Sequence, residues 1–349
     1  MDLDTSPCRP PLVRPTLIPG LRLLWRSRRR LQLGLDPCRA VILELPEQGA
    51  ARVLDLLDGT RSERTVLARA SETGVAEADA RAMIDRLYEA GLVVSAPALM
   101  PQQFPQPVRE RLGDESAALG LRSRTAGSTA TPAQILRRRA AARVAITGRG
   151  PLAGPVAVAL ARAGIGHVAP MLDRGPELAR TIAAQAPGTL TGPLRRSEIT
   201  FAVLVGDARP AILAAAGYDR LRLAHLAMAV RDGTAVIGPL VPPQGAPCLN
   251  CLDLHRQDRD PEWPTLAAQL ATAPPSAPCA TATALIATGL ATAEVLRWVD
   301  RAAPTTLGAS IEVSGSGELR RRSWPPHPGC YCVRRPRRGQ WAGERRVRQ

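Results

Sequence analysis

Apolar positions recur along this chain with two different spacings. From Val41 to Val94 a short β-rich run is followed by helix-spaced apolar residues, Ala51, Val53, Leu54, Leu56 and Leu57, which stop at Asp58-Gly59. A second helical segment runs to Gly74. A third places Ala82, Met83, Leu87 and Ala90 on one stripe, and Gly91 ends it before the run Leu92-Val93-Val94. A strand, three helices and a final strand predict a small winged-helix domain over residues 35–96, after an N-terminal extension, 1–34. Winged helices bind DNA, peptides or neighbouring domains, so this fold alone selects no function.

Residues 97–140 are rich in Pro, Gln, Ser, Thr and Gly and read as a linker with room for a short helix. The pattern then becomes α/β over 141–333. Arg143–Thr147 is a buried-type strand, followed by a glycine turn, a helix to Ala163 and a second strand, roughly His167–Leu172. Further strands are expected at Phe201–Val205, Leu223–Val230 and Thr234–Val241, and helices near Glu177–Gln185 and Pro210–Ala216. The apolar helix Thr281–Val299 and two strands, Ala309–Ser314 and Glu318–Trp324, complete the run. Alternation of this kind predicts a Rossmann-like, mostly parallel sheet covered by helices.

Composition changes the picture in two places. The chain carries 46 basic and 31 acidic residues, a net charge of +15, and every basic residue is arginine. Much of that charge lies near the ends, in "WRSRRR" (Trp25–Arg30) and in a basic tail, 334–349. With two Phe, three Tyr and five Trp, there is no aromatic row on which bases would stack, so nucleic acid is not the expected partner. The N-terminus lacks the basic start and apolar run of a secretory signal. Thr281–Val299 reads as a packed helix rather than a membrane anchor. The expectation is a soluble, cytoplasmic protein whose thiols stay reduced.

Seven cysteines include two close pairs, Cys248/Cys251 and Cys330/Cys332. A dithiol redox couple would use the first pair and leave the second unexplained. Two disulfides would conflict with a reducing compartment. A tetrahedral zinc site uses all four thiolates and is flanked by the turn residues it needs, Gly245, Pro247, Pro328 and Gly329. Four thiolates leave no open position, so its role would be structural. His327 is a substitute ligand to weigh. His255 with Asp253, Asp258 and Asp260 is either an acid–base or metal cluster or a salt-bridged surface turn. Cys8 and Cys38 carry no pattern.

The turn Gly148-Arg149-Gly150-Pro151-Leu152-Ala153 either admits a phosphate chain to a helix N-terminus or simply joins strand to helix. The order of parts is more specific: this turn, "LARAGIGHV", a strand ending near Asp207, "GPLVPPQGAPCLNCL", then a second cysteine pair. From about Arg143 to Cys332 the chain resembles the ThiF family, related to ubiquitin-activating enzymes, which adenylate a peptide or protein C-terminus with ATP and Mg²⁺. "CLNCLDLHRQDRDPEWP" and "RSWPPHPGCYC" resemble an actinobacterial branch of it. The front block resembles PqqD-like winged helices that recognise precursor leader peptides.

The resemblance implies zinc ligation by Cys248, Cys251, Cys330 and Cys332. It implies nucleotide contacts at Gly148, Gly150, Leu152 and Ala153, and a metal-holding aspartate at Asp207. Cys279, in the loop before the long helix, falls where the family places a nucleophile, and is otherwise a small residue at a helix start. There are departures. Pro151 removes a backbone donor from the turn. Leu172 and Arg174 stand where an acidic ribose-binding pair is expected, with Asp173 out of phase by one. "RGPELARTIAAQ" replaces the phosphate-contacting segment, leaving Arg149, Arg174 and Arg180 as the available cations. The implied function is therefore to bind a precursor peptide and present it to a YcaO-type cyclodehydratase, with an eroded nucleotide site. Homodimerisation through Thr281–Val299 is a further expectation. An active ATP-dependent adenylyltransferase and a DNA-binding regulator are the alternatives.

Overall fold

The computed structural model describes residues 9–37, 39–126, 130–172, 174–206, 211–272, 278–315 and 317–333. The chain forms two compact units that divide at Arg137/Arg138.

In the first unit β1 (Pro15–Leu17) precedes β2 (Leu23–Ser27), β3 (Arg30–Leu33) and β4 (Val41–Glu44). The last three form an antiparallel sheet in the order β2-β3-β4. A 3₁₀ stretch, Gln48–Leu56, is followed by α1 (Glu63–Glu72), α2 (Glu77–Glu89) and β5 (Val93–Ser95). The sequence predicts α-helix at 51–57. The same apolar residues point inward, but the bonding is i→i+3, as in Ala50 N–H to the Glu47 carbonyl at 3.2 Å. Ser62 caps α1 by accepting the Thr65 N–H at 3.1 Å. Along α2, Ala80, Met83, Ile84 and Leu87 are buried at helical spacing. Gly91, with φ +67°, ends that helix, and the Leu92 N–H bonds back to the Leu87 carbonyl.

Two expected boundaries need correction. The described part of the N-terminal extension, residues 9–34, is not an appendage. β1 pairs antiparallel with β5, and Leu31 and Leu33 of β3 lie in the core of this unit. Residues 97–140, read as a linker with a short helix, are helical over most of their described length. They hold α3 (Ala96–Leu99), α4 (Gln106–Arg111), α5 (Gly113–Ala126) and α6 (Pro132–Ala141). Leu112, Leu119, Ile135 and Leu136 form a small apolar core of their own.

The second unit is α/β. Its elements are β6 (Arg143–Gly148), α7 (Ala153–Arg162), β7 (His167–Met171), α8 (Gly175–Gln185), β8 (Phe201–Val205), α9 (Ala211–Arg220), β9 (His225–Arg231) and β10 (Thr234–Val241). Then follow α10 (Leu249–Gln257), α11 (Trp263–Thr272), α12 (Thr281–Val299), β11 (Ala309–Val313) and β12 (Leu319–Ser323). The sheet runs β12-β11-β10-β9-β8-β6-β7. β7, β6, β8 and β9 are mutually parallel, β10 reverses, and β11 reverses again, so five of the seven strands among the described residues point the same way.

β8 is buried along its whole length, as its unbroken apolar run predicts. Val203, Val205, Leu226, Ile237 and Val313 pack on one sheet face with residues of α7 and α12. Helix α12 is long and apolar enough to cross a membrane by length and composition, yet it belongs to this core, with Ala287, Ala291 and Val295 fully buried. The buried Glu294 carboxylate accepts the Thr306 N–H at 2.7 Å and the Thr305 N–H at 3.1 Å. At the base of the sheet Arg139 makes a bidentate pair with Asp300, at 2.8 and 2.7 Å, and also donates to the Ala163 carbonyl at 3.0 Å. This pair ties the ends of α6, α7 and α12 together.

Candidate functional site

The four paired cysteines converge. Cys248 is the N-cap residue of α10 and Cys251 lies in its first turn. Cys330 and Cys332 follow β12, where the Cys330 N–H bonds to the His327 carbonyl at 3.0 Å. The Sγ atoms lie 4.0 Å apart for Cys248–Cys251, 3.6 Å for Cys248–Cys330 and 3.3 Å for Cys251–Cys332. All four fall within 4.8 Å of one another. None is disulfide-bonded. A tetrahedron of sulfurs about 2.3 Å from a zinc ion has edges of about 3.8 Å, so this donor set fits a thiophilic tetrahedral ion.

The electrostatics of the cluster point the same way. Thiol hydrogen bonds from Cys248 and Cys332 hold the Cys251 thiol below its ordinary value. Cys248, hydrogen-bonded to Cys251 and Cys332 and buried, is pushed up. A hydrogen bond with Cys248 works the other way on Cys332, but donation to Cys251 and burial push it up to about 12. One thiolate is readily accommodated, and further ones call for a cation among them.

Sequence reasoning missed Asn250, whose buried side-chain Nδ2 donates to Cys330 Sγ at 3.4 Å. Its place inside the Cys-x-x-Cys turn was the available signal. His327 stands outside the sulfur set. Its Nδ1 accepts the Gly329 N–H at 3.0 Å, so its Nε2–H donates to Asp258 Oδ2 at 2.9 Å. His255 Nε2 donates to the Pro325 carbonyl at 2.8 Å. The His255 and His327 ligand atoms lie near Asp258, but these bonds occupy the rings as clasps on the second knuckle. Asp253 pairs with Arg256 at 2.8 Å, and Asp260 accepts the Glu262 N–H at 3.0 Å. The acidic stretch is thus a set of local pairs, as the surface-turn reading expects.

The glycine turn lies between β6 and α7. Gly148 and Gly150 have φ of +99° and +131°. A Cβ on Gly148 would run into the Val205 carbonyl of β8, while the Arg149 N–H donates to that carbonyl at 2.6 Å. Leu152 is buried at the N-cap of α7 and Ala153 opens the helix. Pro151 is exposed. Arg149, Arg174 and Arg180 are also exposed and form no ion pair among the described residues. Leu172, where the family's acidic residue is expected, packs against the apolar core. Asp173 and Asp207 lie outside the described residues, as do Cys8 and Cys38. Cys279 is half-buried just before α12, its Sγ 3.7 Å from the Ala280 carbonyl, and it is not part of the sulfur cluster.

Two further features were not read from the sequence. A cavity of about 420 Å³ opens on the sheet face covered by α9, α10 and α11. Trp263, Trp324, Arg231, Arg256, Glu312 and Arg322 are among its walls. Arg256 stacks 4.9 Å from the Trp263 ring centre, and Arg322 pairs with Glu312 at 2.7 Å. In the first unit, β2 is exposed at every residue. Leu23, Leu24 and Trp25 are 42%, 37% and 44% exposed and adjoin one another, and it is contiguous rather than scattered apolar exposure that marks interaction surfaces. An open groove runs between Leu23, Trp25 and Leu31 on one side and Gln48, Gly49, Ala51, Arg52 and Asp55 on the other.

No family model matches the chain, and no curated protein sequence does. Solved structures do. The chain is similar to E. coli MccB solved with succinimide, at a TM-score of 0.58 and 14% identity, over 91% of this chain and 99% of that one. E. coli MccB with selenomethionine-labelled MccA gives 0.58 at 15% identity, over 92% and 99%. A heterocyclase in complex with substrate and cofactor gives 0.58 at 16%, over 91% of this chain and 39% of the other. At these identities the likeness establishes the fold. The chain shares the fold of E. coli MccB.

Proposed function

We propose that this protein binds a precursor peptide and presents it to a partner enzyme of the YcaO cyclodehydratase type. The N-terminal unit serves as a winged-helix, PqqD-like peptide-recognition domain. The α/β unit serves as the scaffold, with a structural zinc held by Cys248, Cys251, Cys330 and Cys332. The observation that carries this reading is β2. Among the described residues it is an edge strand with no strand paired on its outer side, and it carries three large exposed apolar residues, two of which line an open groove. Edge strands are ordinarily blunted against pairing, and an extended peptide adding as a further strand would complete this one.

The structural relatives support it, since MccB has been solved with MccA and the heterocyclase with its substrate. A second reading has an observation of its own. Gly148 lets the turn pack on the Val205 carbonyl, Gly150 beside it is exposed with room for close backbone approach, and MccB has been solved with ATP. On that reading the chain adenylates a peptide C-terminus, with Gly148, Gly150, Leu152, Ala153 and Asp173 on the nucleotide, Asp207 on Mg²⁺, and Cys279 as a nucleophile. The test takes a synthetic candidate precursor peptide with its leader segment. Titration calorimetry should give binding to the wild type that Trp25→Asp abolishes, and ATP–pyrophosphate exchange should stay at background with the peptide present. Peptide-dependent exchange would decide for the adenylating enzyme. Unchanged binding by Trp25→Asp would remove β2 from the account.

A further inference from the structure

The β2–β3 hairpin joins an apolar edge to a cationic tip. Leu23 and Trp25 face the groove, and the strand then runs into Arg26, Arg28, Arg29 and Arg30. Little negative charge offsets that tip. Arg26 bonds to the neutral Gln32 at 2.7 Å, and Arg30 reaches Glu44 only at 3.5 Å, with both side chains exposed. Arg28 and Arg29 have no acidic partner among the described residues. Charge alone on an edge would be explained as protection against strand pairing. That explanation does not cover an edge that also exposes Leu23, Leu24 and Trp25 in a row.

The two halves make sense together as a selective docking edge. Five residues of strand at about 3.3 Å each span about 17 Å, enough to pair with five or six residues of a guest. Every second guest side chain would enter the groove against Leu23, Trp25 and Leu31, about 7 Å from the next. The guest residues beyond would lie beside guanidinium groups whose fork geometry matches carboxylates. A duplex nucleic acid would meet the arginines but leave the apolar groove without a partner. A second copy of this chain would bring a strand of the same positive sign.

We propose that the N-terminal unit selects acidic peptides of alternating pattern: two large apolar side chains two residues apart seat in the groove beside β2, and the adjoining carboxylates engage Arg26, Arg28 and Arg29. This rests on the peptide-binding reading above and adds the chemistry of the guest.

The test uses the full chain and fluorescein-labelled synthetic dodecapeptides that alternate Leu with Glu, or Leu with Lys, read by fluorescence anisotropy. The Glu probe should bind at least tenfold tighter than the Lys probe and weaken as salt rises from 50 to 300 mM. N-methylation of alternate backbone nitrogens should abolish its binding. The double variant Arg28→Glu/Arg29→Glu, on exposed positions and checked by its melting curve, should reverse the preference. Equal binding of the two probes, or no reversal, overturns the charge selection while leaving peptide binding in place. Binding of neither probe, or binding of the Glu probe that survives Trp25→Asp, overturns the docking edge itself. Competition of the Glu probe by a labelled 20-base-pair duplex assigns the tip to nucleic acid. A dimer in sedimentation that Trp25→Asp dissociates assigns the edge to a second copy.

Discussion

Replacing Cys330 with serine removes one donor from the sulfur cluster while changing the buried volume very little. Cys330 is fully buried, lies 3.6 Å from Cys248 Sγ, and accepts a hydrogen bond from Asn250. With three sulfur pairs 3.3–4.0 Å apart and all four thiols within 4.8 Å of one another, the site needs little rearrangement to hold an ion, so its binding energy is available as folding energy. A thousandfold loss of zinc affinity removes about 4 kcal/mol of stabilisation. For a domain of 150–250 residues that corresponds to a melting temperature lowered by about 8–16 °C. The assay pairs elemental analysis with calorimetric melting. Wild-type protein should carry one zinc per chain, and Cys330→Ser should lose it and melt early. Strong chelator should bring the wild type down to the variant. Cys279→Ser, outside the cluster, should change neither quantity. Wild-type protein without stoichiometric zinc, or a Cys330→Ser protein that keeps both its zinc and its melting temperature, would refute the reasoning.

The buried Arg139–Asp300 pair, 1% and 4% exposed, should make Asp300→Ala cost about 3–5 kcal/mol in denaturant unfolding, because it strands a guanidinium in the core. The double variant Arg139→Met/Asp300→Leu should recover most of that loss, and a double variant as costly as the sum of its singles would remove the pair from the account. In the first unit Glu63 is buried, which opposes its charge. Its bonds to Arg9 at 2.6 Å and to the Leu12 N–H outweigh that burial and hold its carboxyl below the usual range. The stabilisation is therefore full above the ordinary carboxylate pKa and is lost as pH falls through the lower folded value. Urea unfolding followed across acidic pH should show that slope in the wild type and a weaker one in Glu63→Gln.

Local signals were readable and distant ones were not. The β6–α7–β7 unit was legible because each part announces itself within a few residues: a buried apolar run, two glycines, and an Ala/Val/Leu helix stopped at Gly164. The cysteine pairs were legible as pairs, and their meeting is the tertiary fact the fold supplies. The region read as linker failed for a definite reason. Its prolines were taken as breaks, yet Pro97, Pro107 and Pro132 sit in the first turns of α3, α4 and α6, where the missing N–H removes no helical bond. The pairing of β1 with β5 joins residues far apart in sequence through two three-residue strands, too short to show a period. The cavity beneath α10 and α11 is lined from β8, β9, β10, β11 and β12 as well, and no spacing along the chain encodes such a convergence.

The positions of these features bear on whether the α/β unit scaffolds or catalyses. The cavity shares α10 with the sulfur cluster: Cys251 sits in the first turn of that helix, and Leu252, Asp253 and Arg256 face the cavity. An ion that fixes Cys251 against Cys332 therefore also fixes a cavity wall, so metal loss should loosen any guest held there. None of Gly148, Gly150, Leu152 or Ala153 lines that cavity. Pro151, which supplies no backbone donor to the turn, and Leu172 and Arg174 after the second strand all lie outside those walls. Adenylation needs cations and donors aimed at the transferring phosphate, whereas holding a peptide needs only the cavity and the edge strand. On the proposed function, the α/β unit would use this cavity to hold a guest, and a chain that instead adenylates would show peptide-dependent ATP–pyrophosphate exchange. The same division predicts that zinc removal weakens guest binding to the α/β unit and leaves the docking edge of β2 working.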